Sequence, residues 1–515
     1  MADEVTKALS DEEKAAAKNP EPEAAAEAIA PEAASASTGD VEAVSETESP
    51  APRHGGRRGR LAEQYATRNL TEGSISRNLL FLSWPQMAEG ALYVFYQMVD
   101  LFWAGQGFGL DALAGVGAVW TYTTLGLTAR GGLDTAMRAM VSRAVGAGDM
   151  ALANRVVLQA FALNTFISIF FVVIPGVIFA DQLLMIIGLP EEVRNEVSLY
   201  MRFQLINQSL VAWRTMSGQA LASAGDSLTP LRATVITRAV HMTMSPTLAF
   251  GLLFFPELGL MGLAVAGIIG QIVGSILNWN ALFSGRSRLH LTLKGFYLDW
   301  DVMRRLVRIG VPASVTSMER ALSQFVMVGV VASFGVTALG VYTLAQRTDL
   351  LANRVITGLA NASGVLVGQN LGAGQPERAR KTVLVAMVWS FFSQLVFAAL
   401  LAAFPIAYMA IFNDDADLHA LGETWFRILA LGYVTMGLST VMMHCFNTAG
   451  DTIVPALVNI VTIWVVQLPL ALFLRDFLDF DSTSVAWAIV AAMLFRLLIY
   501  LPYFLSGRWM RARVL

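Results

Sequence analysis

The 515-residue sequence holds one cysteine, Cys445, and five histidines. A single thiol excludes an intramolecular disulfide and a cysteine-cluster metal site, and Cys445 reads as a packing residue. Charge is also scarce: 15% of residues are charged and 55% are hydrophobic. That is less charge and more apolar surface than an average soluble domain carries, and it points to a membrane protein. The N-terminus lacks the apolar stretch of a secretory signal. The glycine runs neither follow a strand nor precede a Gly-Lys-Ser/Thr run, so they are not a nucleotide-binding loop. Neither a His/Asp ligand cluster nor a nucleophile with its base stands out. An enzyme is therefore not expected, and neither a metal site, a cofactor nor a nucleic-acid partner is.

The net charge of -3 hides a segregation, because residues 1–50 carry thirteen acids against Lys7, Lys14 and Lys18. This Ala/Glu/Pro/Ser-rich stretch buries too little apolar surface to offset its ordering entropy, so residues 1–70 are expected to form a disordered tail. Its basic part, Arg53, Arg57, Arg58 and Arg60, suits either contact with anionic headgroups or a solvated charge run.

From Leu79 onward, apolar stretches long enough to cross a bilayer recur, each needing roughly 20 residues. Twelve are expected: 79–104, 113–141, 151–180, 197–222, 230–255, 261–284, 307–333, 338–367, 377–412, 421–447, 454–474 and 484–506. Alternate loops differ in charge. One set holds Arg143, Arg155, Arg232, Arg286, Arg288, Lys294, Arg378, Arg380, Lys381, Arg508 and Arg511. The other is acidic, with Glu191, Glu192, Glu257, Asp414, Asp415, Asp476 and Asp479. Positive residues stay on the cytoplasmic side, so both termini are expected there.

The two halves repeat. Val145-Gly146-Ala147-Gly148 matches Leu371-Gly372-Ala373-Gly374, Ala224-Gly225-Asp226 with Pro230 matches Ala449-Gly450-Asp451 with Pro455, and Ser284-Gly285-Arg286 matches Ser506-Gly507-Arg508. Six spans per repeat is an even number, so both halves enter the membrane in the same direction. The expected fold is an all-α polytopic membrane protein with twelve transmembrane helices in two six-helix bundles related by a parallel internal repeat. This arrangement occurs in transporters that alternate access by moving two bundles. The bundles are placed at 75–284 and 307–515, with a basic cytoplasmic linker at 285–306.

The run Gly368-Gln369-Asn370-Leu371-Gly372-Ala373-Gly374 with Ala379-Arg380-Lys381, its copy at 142–148, and Gly310-Val311-Pro312 resemble the loops and helix 7 of multidrug and toxic compound extrusion (MATE) transporters of the prokaryotic type. The resemblance covers roughly residues 75–508. It implies secondary active efflux of organic, often cationic, compounds in antiport with H+ or Na+, by alternating access and without a cofactor. Small organic molecules and lipids are the implied partners, and the monomer is the implied working unit.

Ionisable groups inside spans are costly and therefore candidates for function. Glu89 and Asp100 lie eleven residues apart, close to eclipsed on a helix, and share one face about 16 Å long with Tyr96 and Gln97 beside it. Resemblance implies that Asp100 takes up the coupling ion in the first bundle and that Glu319 matches the helix 7 carboxylate of many relatives. The chain departs from the family in helix 5, where Asn-x-x-x-Asp-Pro is replaced by His241-Met242-Thr243-Met244-Ser245-Pro246. Ser245 stands where an acid is expected. Two uses of His241 are open: titration as a pair with Asp100, which favours protons, or packing beneath Pro246. Asn207 completes the proposed ion site. Tyr96, Gln97, Ser245 and Gln324 are substrate-cavity candidates, although glutamines also serve interhelical hydrogen bonding. The alternative functions are a lipid-linked oligosaccharide or lipid flippase of the same superfamily, and a membrane receptor or scaffold.

Overall fold

The structure, a computed structural model, describes residues 68–252, 254–285, 287–412 and 415–512. The side chains of 93–101, 104–106, 110–114, 129 and 196 fall outside that description, as do the basic cluster at 53–60 and the acidic tail before it. Leu70, the last residue assigned to the tail, is fully buried.

Twelve long helices follow one another without a strand among the described residues. Ile75–Gly146 breaks at Gly109, which adopts φ 82°, giving α1 (75–108) and α2 (110–146). Then come α3 (Met150–Ile178), α4 (Glu191–Ala224), α5 (Leu228–Ala249) and α6 (Leu260–Phe283). The second half has α7 (Trp300–Ala332), α8 (Val336–Gly372), α9 (Pro376–Ala403), α10 (Ala416–Ala449), α11 (Ile453–Leu478) and α12 (Thr483–Ser506). The twelve expected spans are all present, and most run longer than expected. α5 stops earlier, at Ala249, and α9 ends at Ala403, just before Pro405. α7 starts inside the expected linker because Asp299 caps it, accepting from the Asp301 and Val302 backbone N–H groups at 3.2 Å each.

Seven of these helices, α3, α6 and α8–α12, are long and apolar enough to cross a membrane by composition alone. The other five, α1, α2, α4, α5 and α7, fall short of that hydropathy, and they hold most of the buried charge. Phe171, Phe392, Val396 and Leu400 are exposed on the outer faces. Such a surface belongs in lipid, where every backbone polar group must be satisfied internally, as helices do. α3 and α11 each contain a widened π-helical turn, Ser168–Val173 and Val461–Gln467, just before Pro175 and Pro469. A proline has no N–H to donate and loosens the ladder there.

The internal repeat extends to backbone conformation. Gly225 and Gly450 end α4 and α10 with φ of 110° and 98°, a left-handed conformation that side-chain-bearing residues adopt only under strain. The next residues close matching motifs, with Asp226 N donating to Leu221 O and Asp451 N to Phe446 O, both at 3.0 Å. Asp226 and Asp451 then accept from Thr229 N and Val454 N in the first turn of the following helix. Ala-Gly-Asp…Pro is thus a stop, a cap and a start in one loop.

Four buried cores show how the halves join. At the basic end, α2, α3 and α4 share one core with Val302, Leu306 and Ile309 of α7. There too Leu70, Leu79 and Leu82 lie in the core of α8, α9, α10 and α12. At the acidic end each core belongs to one half alone: Val116, Leu184, Tyr200 and Leu263 in the first, Val341, Trp425, Tyr433 and Val485 in the second.

Candidate functional site

Where α1 and α8 cross, they touch almost backbone to backbone. A Cβ on Gly90 would come within 2.7 Å of Arg354 O, and one on Gly358 within 2.6 Å of Met87 N. Farther toward the basic end, Gly132 lies on Gly310 and Ser314, and Gly146, Ser142 and Arg143 lie on Gln369, Gly368 and Gly372. Cross-bundle hydrogen bonds reinforce this seam. Gln369 Nε2 donates to Ser223 O and Arg143 Nη2 to Ala449 O, both at 2.8 Å, while Arg138 donates to Asn361 Oδ1. The family-like glycines of 142–148 and 368–374 therefore sit where the bundles close on each other.

Within the first bundle, Glu89 on α1 accepts from Thr234 Oγ1 of α5 at 2.7 Å and stands 3.7 Å from Arg214 Nη1 of α4. Arg214 is buried, and its Nε donates to Gln271 Oε1 of α6 at 2.7 Å. Four helices are tied together by one guanidinium. A cleft with about 40 Å³ of free space, enough for a water molecule, opens beside them along Gln86, Glu89, Thr215 and Gln219. Arg130 on α2 bonds Asp134 at 3.3 Å and Thr215 at 2.8 Å.

Nearer the acidic end, Asn207 on α4 and the buried His241 on α5 both face Gly267 of α6. A Cβ there would lie 3.0 Å from Asn207 Nδ2 and 3.7 Å from His241 Nε2. Asn207 Nδ2 donates to Gln204 Oε1 at 3.1 Å, and Gln204 to Tyr200 OH at 2.9 Å. Ser245 is fully buried one turn beyond His241. Asp100, Tyr96 and Gln97 lie on α1, but their side chains fall outside the description.

In the second bundle Glu319 is buried on α7, beside the Trp464 indole and within electrostatic reach of Arg496 and Arg320. Asp349 on α8 accepts from Tyr433 OH at 2.7 Å. Gln324 is exposed on α7, on the side that faces the first bundle farther down. The structure thus brings Asn207, His241 and Ser245 together, gives Glu89 a separate network, and sets Glu319 and Gln324 in the other half. Sequence reasoning passed over Arg214, Asp349 and Arg496. The signal was available, because a guanidinium or carboxylate in mid-span is as costly as the acids it singled out.

A MatE family model matches residues 85–247 and 312–473, one copy in each bundle. The chain belongs to the MatE family. Two bacterial relatives illustrate its company. A protein of Thermotoga maritima named as a probable multidrug resistance protein NorM is 23% identical over 452 residues, 86% of this chain and 94% of its own length. One of Shewanella oneidensis named as an FAD transporter is 24% identical over 406 residues, 78% of this chain and 88% of its own. A crystal structure of MATE in the bent conformation superposes with a TM-score of 0.79 at 21% identity, covering 87% of this chain and 96% of that one. The MatE protein is a multi-pass helical membrane transporter of the two-bundle fold, as its repeat implied.

Proposed function

We propose that this MatE protein is a secondary active exporter, moving organic compounds out of the cell in antiport with H+ or Na+ by alternating access. The supporting observation is the one-sided seal: the bundles share cores at the basic end and keep separate cores at the acidic end. Coupling requires only that ion and cargo prefer different states of that seam. Asp100, with His241 and Asn207, is the proposed ion site of the first bundle, and Glu319 that of the second. The basic end is assigned to the cytoplasm, with both termini there, in the inner membrane of a prokaryote. Each chain carries both bundles and works as a monomer. One relative is named for multidrug resistance and another for FAD, so the cargo is organic in both.

The test is dye efflux from proteoliposomes, with proton and sodium gradients imposed separately, for the parent and Asp100→Asn. Movement driven by one gradient and lost in the variant identifies the coupling ion. Movement that ignores both gradients removes antiport and brings the flippase reading forward.

A further inference from the structure

We infer that the cleft between the bundles receives an organic anion, held by the guanidinium groups of Arg320 on α7 and Arg347 on α8. The inference names the cargo class of the exporter proposed above and rests on that reading.

The orientation of both side chains follows from the seam. α8 meets the first bundle along Arg354, Gly358, Asn361 and Gly372. At about 100° per residue these positions share one side, and Arg347, seven residues before Arg354, lies on the same side. α7 meets the first bundle along Val302, Leu306 and Gly310. Arg320, eighteen residues after Val302, is eclipsed with it at five full turns. Arg347 lies nearly two turns and Arg320 nearly three turns beyond the last of these contacts toward the acidic end, where the cores have separated, and both are exposed. Counted from Ala332 and Val336, they stand at nearly the same depth, about 17 Å from the acidic ends of their helices at 1.5 Å per residue. An exposed guanidinium at that depth is costly against lipid, which leaves a water-filled cleft as its environment.

The carboxylates of this layer, Glu319 and Asp349, sit inside the second bundle, both within electrostatic reach of Arg320. Glu319 lies half a turn from Gly310 and about 100° from Val302, and is buried among α7, α11 and α12 with Arg496 and Arg320 in electrostatic reach. Asp349 lies half a turn from Gly358 and is engaged by Tyr433 inside the second bundle. Three arginines, Arg320, Arg347 and Arg496, thus stand against two carboxylates, Glu319 and Asp349, and the surplus positive charge is on the cleft side. On α1, Glu89 at the level of Arg354 is already held by Arg214 and Thr234, and Asp100 is assigned to the proposed ion site of the first bundle. Two guanidinium groups at a similar depth on consecutive helices present planar donor forks that match a carboxylate or phosphate.

The experiment measures binding of carboxyfluorescein, an anion, and ethidium, a cation, by fluorescence anisotropy with the full chain in nanodiscs, together with efflux of the same dyes from proteoliposomes. Saturable carboxyfluorescein binding is expected to weaken about tenfold or more in the Arg320→Gln/Arg347→Gln double variant. The Arg320→Lys/Arg347→Lys variant keeps the charge and is expected to retain most of the affinity. Ethidium binding without carboxyfluorescein binding, or unchanged anion affinity in a monodisperse glutamine variant, overturns the anion assignment and leaves export standing. Anion binding with no gradient-driven movement upholds the site and overturns export instead. If the glutamine variant does not fold, competition between the two dyes on the parent decides the sign of the site.

Discussion

Arg214 and Glu89 approach to 3.7 Å inside the first bundle, with Thr234 accepting from the one at 2.8 Å and donating to the other at 2.7 Å. Arg214→Ala leaves Gln271 and Thr234 without their donor and Glu89 without its counter-charge. Removing one partner of a buried pair costs about 3–5 kcal/mol. The Glu89 side chain is 34% exposed, and solvent screening brings the expected loss to about 2 kcal/mol. Glu89→Gln keeps the acceptor for Thr234 and is expected to cost about 1 kcal/mol. Thermal unfolding in detergent should rank Arg214→Ala below Glu89→Gln and both below the parent. An Arg214→Ala protein as stable as the parent would refute the structural role of the network.

The seam predicts a conformational variant. A side chain at Gly146 runs into the Gln369 backbone of α8, and backbone cannot swing aside as a side chain can. Gly146→Val should force the basic end apart. Ser142 is fully buried in that seam. Maleimide labelling of a Ser142→Cys reporter should rise about tenfold, the equivalent of about 1.4 kcal/mol in the open population. The one natural thiol, Cys445, is buried and gives little background. Labelling that stays at the parent level would mean that the seam tolerates the bulk without opening.

The loop motif predicts a graded pair. Asp226 accepts from Thr229 N at 3.0 Å and from Thr229 Oγ1 at 2.7 Å. Asp226→Ala should cost about 1 kcal/mol, as loss of a helix cap does, and Asp226→Asn much less because asparagine also caps. Gly450→Ala should cost about 1 kcal/mol at the equivalent turn, since alanine is strained at φ 98°. Equal melting temperatures for the alanine and asparagine variants of Asp226 would show that the cap contributes nothing.

The proposed ion site predicts a transport defect without collapse. Gly267→Val fills the space shared by Asn207 and His241. Overpacking of this kind costs about 1–3 kcal/mol, little enough for the protein to remain folded. Gradient-driven efflux should fall about tenfold while equilibrium dye binding in nanodiscs stays within about threefold of the parent. Normal gradient dependence in this variant would move the coupling site away from Asn207 and His241.

Much of the architecture was legible because its causes are local. Apolar length alone marks seven of the twelve helices. Charge bias distinguishes two sets of loops. The Ala-Gly-Asp…Pro repeat marks equivalent turns, since a left-handed glycine followed by a capping aspartate produces the same corner wherever it occurs. Helix ends were less legible. α7 begins at Trp300 because Asp299 caps it, although Arg304, Arg305 and Arg308 make its first turns look like a loop.

The site divides in the same way. Glu89 and Glu319 stand out in sequence as charges among apolar neighbours, and helical spacing places Glu89 and Asp100 on one face. Their partners do not stand out. Arg214, Thr234 and Gln271 lie on three other helices, and only the packing of α4, α5 and α6 against α1 brings them to Glu89. The same holds for Asn207 and His241, which both approach the space that Gly267 leaves open.

The sequence by itself determined that this chain crosses a membrane as two copies of one six-helix plan, because span length, loop charge and turn chemistry depend on neighbours along the chain. The tertiary structure alone decided which charges are balanced inside a bundle and which face the cleft. A half turn of helix separates Glu319 from Gly310 on α7 and Asp349 from Gly358 on α8, and only the position of the neighbouring helices converts that angle into burial or exposure.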